Sequence, residues 1–271
     1  MPTRAFDLSI VVPSRLQVQP ERNGSLWLSR ALGTIARQTA FKKLSIEILV
    51  GLDTGVAPPA LPPSPALDCV RFVNAPAGRK PSQAAAINTA ATAARGTTLA
   101  VLEDDDAWKQ TFLQTALAAL ADCDFVSSSQ MLVDRHGLPL EVMYFPTPSG
   151  WVMPRALWQE IGGFNERMVY HVDVEWIGRL NKSGKRRAHL VESGFPLDDA
   201  FLKQHRRWLA HLAKGQPHPV KLVQHRWPTP LVVRTQNEAG GTGQIRRSPD
   251  AAERSKREMA ALRKRFGEIP W

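Results

Sequence analysis

Cysteine is scarce, with only Cys69 and Cys123 in 271 residues. Two thiols cannot build a disulfide framework, and such usage suits a reducing, cytoplasmic setting. Long apolar runs are missing too. No stretch approaches the ~20 apolar residues that cross a bilayer, and the opening MPTRAFDLSIVVP has no apolar signal-peptide core. The expectation is a soluble chain, peripheral to a membrane at most. Neither GxGxxG nor a Walker-type GxxxxGK[ST] follows any apolar run, which argues against a dinucleotide dehydrogenase and a P-loop NTPase. Repeats and domain linkers are absent. At 43% hydrophobic residues, the chain has enough for one large core or two small ones.

Negative charge is in the minority, 25 Asp and Glu against 35 Lys and Arg, for a formal net charge of +10. That surplus favours anionic partners: nucleotides, phosphorylated glycans, acidic headgroups or nucleic acid. It is concentrated in residues 179–234 and 246–265. Against it stands TTLAVLEDDDAW at 97–108, where a short buried-strand pattern runs into Glu103, Asp104, Asp105 and Asp106. Carboxylates gathered at a buried strand end repel one another and lose solvation unless a cation joins them. Mg²⁺ or Mn²⁺, which take oxygen ligands and leave positions for phosphates, would serve. An acidic cap on a helix beginning near Trp108 would use the same residues.

Periodicity predicts strands at 7–13, 44–52 and 69–73 and helices at 25–38, 82–95 and 108–121, with Pro81 in the first turn of the second. Strand and helix thus alternate through the first 121 residues, which predicts a mostly parallel α/β sheet with ligands at the C-terminal strand ends. Pro13, Ser14, Arg15, Asp53 and the acid run all fall at such ends. Beyond residue 124 an antiparallel pair is expected at 125–133 and 140–145 around a DRHG turn. Helices follow at 154–161, 174–181 and 200–214, then a glycine loop at 240–243. Ser248 caps a last helix with Pro249 in its first turn.

The blocks SIVVPSR, ARQT, IEILVGLDTG, AAAINTAATAARGTTLAVLEDDDAW and IGGFNE…HVDVEWIGRL, in this order over residues 7–190, resemble the family 2 glycosyltransferases of the GT-A fold. The resemblance implies a Rossmann-type, mostly parallel sheet with a smaller antiparallel acceptor-side element. It also implies that the acids form a DxD element holding Mn²⁺ or Mg²⁺ against the diphosphate of a nucleotide sugar. The family pattern aligns Glu103 and Asp105 with its two key acids, whereas strand alternation pairs Asp104 with Asp106. The expected metal ligands are Asp105, then Asp104 and Asp106.

By the same resemblance, Asp53 accepts a hydrogen bond from the nucleobase, and a carboxylate suits the imide N–H of uracil. A turn-forming Asp before Gly55 is the other reading. Pro13, Ser14 and Arg15 line the nucleotide, although the family's common Tyr-Asn is replaced by Arg15–Leu16. The basic residue that often precedes the family's helix Asn is Ile87 here, beside Asn88. Arg79 or Lys80 is therefore the expected diphosphate cation, unless both are ordinary loop charges. Asp173 matches the acid that deprotonates the acceptor hydroxyl, with Val172 where its neighbouring acid would stand and Glu175 as reserve base. It could equally cap its helix. Gln204–Trp208 fits QxxRW of processive synthases, whose membrane spans this chain lacks. His205 and His225 are candidate metal or phosphate contacts or plain structural histidines.

The expected organisation is one GT-A-like domain over 1–233, with a nucleotide half at 1–121 and an acceptor half at 122–233, followed by a basic loop and helix at 234–271. The expected activity is inverting, metal-dependent transfer from a UDP-sugar to an acceptor hydroxyl on a glycan, lipid-linked or phosphorylated molecule, with peripheral membrane contact through the basic helix. Two rivals are a sugar-phosphate nucleotidyltransferase, opposed by the missing glycine-rich triphosphate loop, and a nucleic-acid-binding protein. The latter is opposed by the lack of aromatics interleaved with the basic residues.

Overall fold

Between Asp7 and Arg15 the chain carries no charge, and this segment forms the central strand β1 (Phe6–Ser14). Its side chains alternate between two apolar layers: Leu8, Ile10 and Val12 enter one, Val11 the other. The computed structural model describes residues 6–19, 25–60, 69–195, 220–238 and 240–267. After β1 come β2 (Val18–Gln19), β3 (Ser25–Leu26), α1 (Trp27–Ala36), β4 (Ile46–Leu52), β5 (Val70–Asn74), α2 (Gln83–Ala93) and β6 (Gly96–Val101). The middle of the chain gives β7 (Ala107–Trp108), α3 (Phe112–Leu120), β8 (Phe125–Ser128), β9 (Gln130–Val133), β10 (Pro139–Met143), β11 (Val152–Pro154) and α4 (Arg155–Ile161). The last described elements are α5 (Val172–Lys182), β12 (Arg187–Val191), β13 (Val220–Gln224), β14 (Val232–Thr235), α6 (Gly241–Arg247) and α7 (Pro249–Phe266).

The main sheet has eight strands in the order β13-β12-β8-β11-β6-β1-β4-β5, and only β11 runs antiparallel to its neighbours. This is the mixed α/β, mostly parallel architecture expected from the strand–helix alternation. Helices cover both faces, as buried parallel strands require. Leu28, Leu32 and Ile35 of α1 and Phe112 and Leu113 of α3 pack on one face, while α2, α4 and α5 pack on the other. α2 is almost all alanine where it meets the sheet, and a Cβ at Gly51 of β4 would lie 2.2 Å from the Ala86 carbonyl oxygen. Only small residues on both sides permit that approach. Beneath α5, Trp176 contacts Trp151, Trp158 and Phe125 with ring centroids 4.9, 5.6 and 5.5 Å apart. That aromatic cluster anchors the helix carrying Asp173.

A second sheet has the order β10-β9-β14-β7. In it β14 pairs in parallel with β9 and antiparallel with β7. Several expectations change here. Trp108 does not open a helix: it pairs with Val232 in β7, its indole N–H donates to the Ser149 carbonyl at 2.6 Å, and α3 begins at Phe112. Pro81 lies outside α2, whose cap is Ser82, with Oγ accepting from the Ala85 N–H at 3.1 Å. Residues 241–243 are not a loop but the first turn of α6. The expected boundary after Val233 falls inside β14. Ser248 and Pro249 do open α7 as expected. The predicted helix at 200–214, with Gln204–Trp208 and His205, lies outside the described residues.

Candidate functional site

The parallel strands β1, β4 and β6 run in register, so their C-terminal ends bring Ser14, Asp53 and the acid run to one edge. A cavity of about 1020 Å³ opens there. Pro13, Ser14, Arg15, Asp53, Lys80, the four acids and Asp173 all line it. At its first-strand side the chain leaves β1 through Leu16, which adopts a left-handed φ of 55°. Ser14 supports that turn: its Oγ accepts from the Leu16 N–H at 3.0 Å and donates to Asp104 at 2.6 Å. A non-glycine residue held in this region stores strain that the surroundings must hold in place.

The acids are held from several separate segments of the chain, and Glu103 and Asp106 share Ser149. Glu103 accepts from the Gln83 amide, and the Ser149 hydroxyl lies 3.3 Å from it. Asp105 accepts from the Asn237 amide at 3.1 Å. Asp106 is buried with both oxygens engaged, one by the Ser149 hydroxyl at 2.5 Å and one by the Thr235 N–H at 2.9 Å. It clamps β14 onto the site, while Glu103, Asp104 and Asp105 are half-buried carboxylates of the floor. Burial and the neighbouring carboxylates push Asp104 and Asp106 up to about 7. Burial raises Glu103 and Asp105 as well. Burial and mutual repulsion thus disfavour full ionisation of the floor unless a cation joins it.

One internal cation answers part of it. Arg234, on β14, lines the cavity. Burial opposes its charge, but the field of Glu103, Asp106, Asp173 and Asp105 outweighs this and raises its pKa. Asp173, in the first turn of α5, has its own pKa raised by burial, against the opposing hydrogen bond from the Val174 N–H at 2.8 Å and the field of Arg234. Arg234→Met should cost about 2 kcal/mol at pH 7, less than the 3–5 kcal/mol for stripping a partner from a fully buried charge, because the site is open to water. That cost should shrink as pH falls and the raised carboxylates protonate. Urea unfolding at pH 7 and pH 5 checks this; an equal cost at both would contradict it.

Other expected site residues are placed elsewhere. Asp53 lines the cavity, and its Oδ1 accepts from the Ser82 N–H at 3.1 Å. Lys80 is exposed at the rim. Arg79 does not line the cavity: it pairs with Glu166 at 2.9 Å and bonds Thr89. Asn88 bonds the N–H and carbonyl of Phe164 at 2.7 and 2.9 Å and the Glu166 carboxylate, clamping the loop before α5. Of the two expected diphosphate cations, Lys80 lines the cavity and Arg79 does not, and Arg234 lines it as well. Glu175 points away from the cavity, buried against Arg179 at 2.9 Å and Arg265 at 2.6 Å, as a structural ion pair. His225 is buried outside the cavity lining, where its Nδ1 accepts from the Trp227 N–H at 3.3 Å. Arg234, Thr235 and Asn237 were missed because they lie in a segment read as a basic tail. The only signal, the apolar LVV at 231–233 before Arg234, is too short to place it.

Among the described residues no three His, Cys, Asp or Glu side chains converge on one point as a preformed metal site. The donor set fits a hard divalent ion held by one or two carboxylates, Asp105 and Asp104, with the rest supplied by a phosphate-bearing ligand. No helix among the described residues is long and apolar enough to cross a membrane.

No protein-family model and no curated protein matches the sequence. Solved structures do match its fold. One is the mannosyltransferase PcManGT from Pyrobaculum calidifontis in complex with GDP-Man and Mn²⁺, at TM-score 0.53 and 16% identity over 91% of this chain and 62% of that one. S. aureus TarS 1-349 in complex with UDP-GlcNAc follows at TM-score 0.51 and 14% identity, over 94% of this chain and 65% of that one. S. aureus TarS gives TM-score 0.50 and 13% identity over 96% of this chain and 43% of that one. The chain therefore spans between 43% and 65% of the length of these structures. At such identities the likeness establishes the fold that the chain shares with them.

Proposed function

We propose that the chain is a nucleotide-sugar-dependent glycosyltransferase of the family 2 kind. It would transfer a sugar from a nucleoside diphosphate to an acceptor hydroxyl with inversion at the anomeric carbon. The observation that carries this reading is the meeting of Asp104, Asp105, Arg234 and Asp173 in one cavity at the C-terminal strand ends. In a fold of this kind that edge takes the ligand. The neighbours of the same fold, recorded with GDP-Man and Mn²⁺ or with UDP-GlcNAc, support it.

In this reading the nucleobase lies towards Asp53 and the nucleotide along Pro13, Ser14 and Arg15, with UDP as the expected nucleotide. Asp105 and Asp104 would hold a divalent ion, which when bound neutralises charge developing on the diphosphate. Arg234 adds a fixed positive charge from the protein side, and Lys80 stands at the rim. Asp173 takes the proton of the acceptor hydroxyl as its oxygen forms the new bond to the anomeric carbon. The bond from that carbon to the diphosphate oxygen breaks, and the electron pair leaves with the nucleoside diphosphate. A carboxyl whose pKa is raised by burial is a stronger base than a solvated one, which suits the role. Positioning and electrostatics carry the rest of the acceleration.

Thermal unfolding with a panel of nucleoside diphosphate sugars, each with and without Mn²⁺, tests the proposal. One donor should raise the Tm more with Mn²⁺ than without, since a ligand that binds only the folded state stabilises it by mass action. A panel in which no nucleotide sugar shifts the Tm contradicts it.

A further inference from the structure

The segment between α4 and α5 is neither helix nor strand from residue 162 to 171, and it leads directly into the helix that carries Asp173. Its first part is held by Asn88 and by the Arg79–Glu166 pair. Its last part is held from α7, 80 to 90 residues further along the chain. The two oxygens of Glu258 accept the consecutive N–H groups of Val169 and Tyr170 at 3.0 and 2.9 Å. Arg254 pairs with Glu258 at 3.2 Å and donates to the Arg167 carbonyl at 3.4 Å. His171 Nε2 lies 2.8 Å from the Ser255 hydroxyl. Further along, α7 is fastened to α5 itself, through Arg265 on Glu175 and through Phe266, whose ring lies 2.5 Å from where a Cβ at Gly178 would stand.

We infer that Glu258, supported by Ser255, is a positioning residue for Asp173: it sets the cavity-lining turn immediately before α5 and through it the attitude of the proposed base. This rests on the glycosyltransferase reading above. The chemistry of the contact is specific. A carboxylate that accepts two adjacent backbone N–H groups makes charge-assisted bonds to both and fixes the direction of the chain between them. Val169, Tyr170, His171 and Asp173 all line the cavity, so a rotation of that turn moves the base relative to the acceptor hydroxyl. Displacements of about 1 Å at such a distance cost on the order of 10²-fold in rate. A glutamine has only one oxygen, and its amide NH₂ would meet the second N–H as donor against donor.

The test is a double-mutant cycle on the whole chain, with release of UDP from UDP-GlcNAc and of GDP from GDP-mannose as the readout. Binding of UDP in the presence of Mn²⁺ is measured on the same samples. Glu258→Gln should lower kcat by roughly 10- to 100-fold while the UDP Kd stays within about twofold. On an Asp173→Asn background the same change should add almost nothing, because it acts through the group already removed. Should Glu258→Gln not fold, Ser255→Ala, which removes only the bond to His171, should show the same pattern in smaller measure. If Asp173→Asn is inactive but both variants keep wild-type kcat, or if Glu258→Gln lowers kcat equally on both backgrounds, the inference is overturned and the reading of the base stands. If Asp173→Asn keeps full turnover, or the wild type releases no nucleotide, the reading fails and takes the inference with it.

Discussion

Asp173→Asn should lower turnover by roughly 10²- to 10⁴-fold, the range a general base contributes, and leave donor binding unchanged. Asparagine keeps the shape of the side chain and can still accept from the Val174 N–H, which the carboxylate does at 2.8 Å. It cannot take a proton. The pH profile provides a second reading. Burial, as the largest influence, raises the Asp173 pKa above the ordinary aspartate value of 3.8. The acid limb of kcat should therefore fall at a pH above that value and disappear in the variant. Glu175→Gln is the control. Its carboxylate is committed to Arg179 and Arg265, so its loss should appear in stability, with kcat per folded molecule retained. Full activity in Asp173→Asn together with loss in Glu175→Gln would reverse the two assignments.

The second large effect concerns the floor of the cavity. Asp105→Ala should remove Mn²⁺-dependent UDP binding, raising the Kd at least tenfold, and should not unfold the chain. The variant loses one bond from Asn237. It also relieves repulsion, since the Asp105 charge helps raise Glu103, Asp104 and Asp106. Asp106→Ala should behave differently. It leaves the Thr235 N–H without its carboxylate and the Ser149 hydroxyl with only its longer 3.3 Å contact to Glu103. Unsatisfied buried donors of this kind cost about 1–3 kcal/mol each, so that variant should be less stable as well as less active. Titration calorimetry and urea unfolding on the two variants separate a ligand-facing acid from a structural one.

Much of the sheet was legible in the chain because buried parallel strands and their helices carry local signals. The short apolar stretches in β1, β4 and β6 and the alanine run of α2 are examples. The acid run was legible for the same reason: four acids after a buried strand must be compensated somewhere. What local pattern could not show was the compensation. Arg234 reaches the acids only because β14 adds to β9 and β7, a pairing that spans more than a hundred residues. The same pairing recruits Trp108 into a strand against its expected helix. Pairing of this kind is decided by tertiary context. Asp106 shows the converse. Its chemistry matched a ligand, but a serine and a backbone N–H from two distant segments had already taken its oxygens. Within 1–121, Pro13, Ser14, Arg15, Asp53 and the acid run could be placed at the cavity from strand ends, whereas Gln17, Gln83 and the residues from β14 and α7 needed the fold.

The most direct test of the account is a crystal of the chain grown with UDP and Mn²⁺, examined by anomalous scattering at the manganese edge. The account predicts one manganese peak in contact with the Asp105 carboxylate and the diphosphate, with the base beside Asp53 and Arg234 facing the same phosphates. A UDP molecule bound elsewhere on the surface, or a manganese ion bound away from residues 104–105, would contradict it.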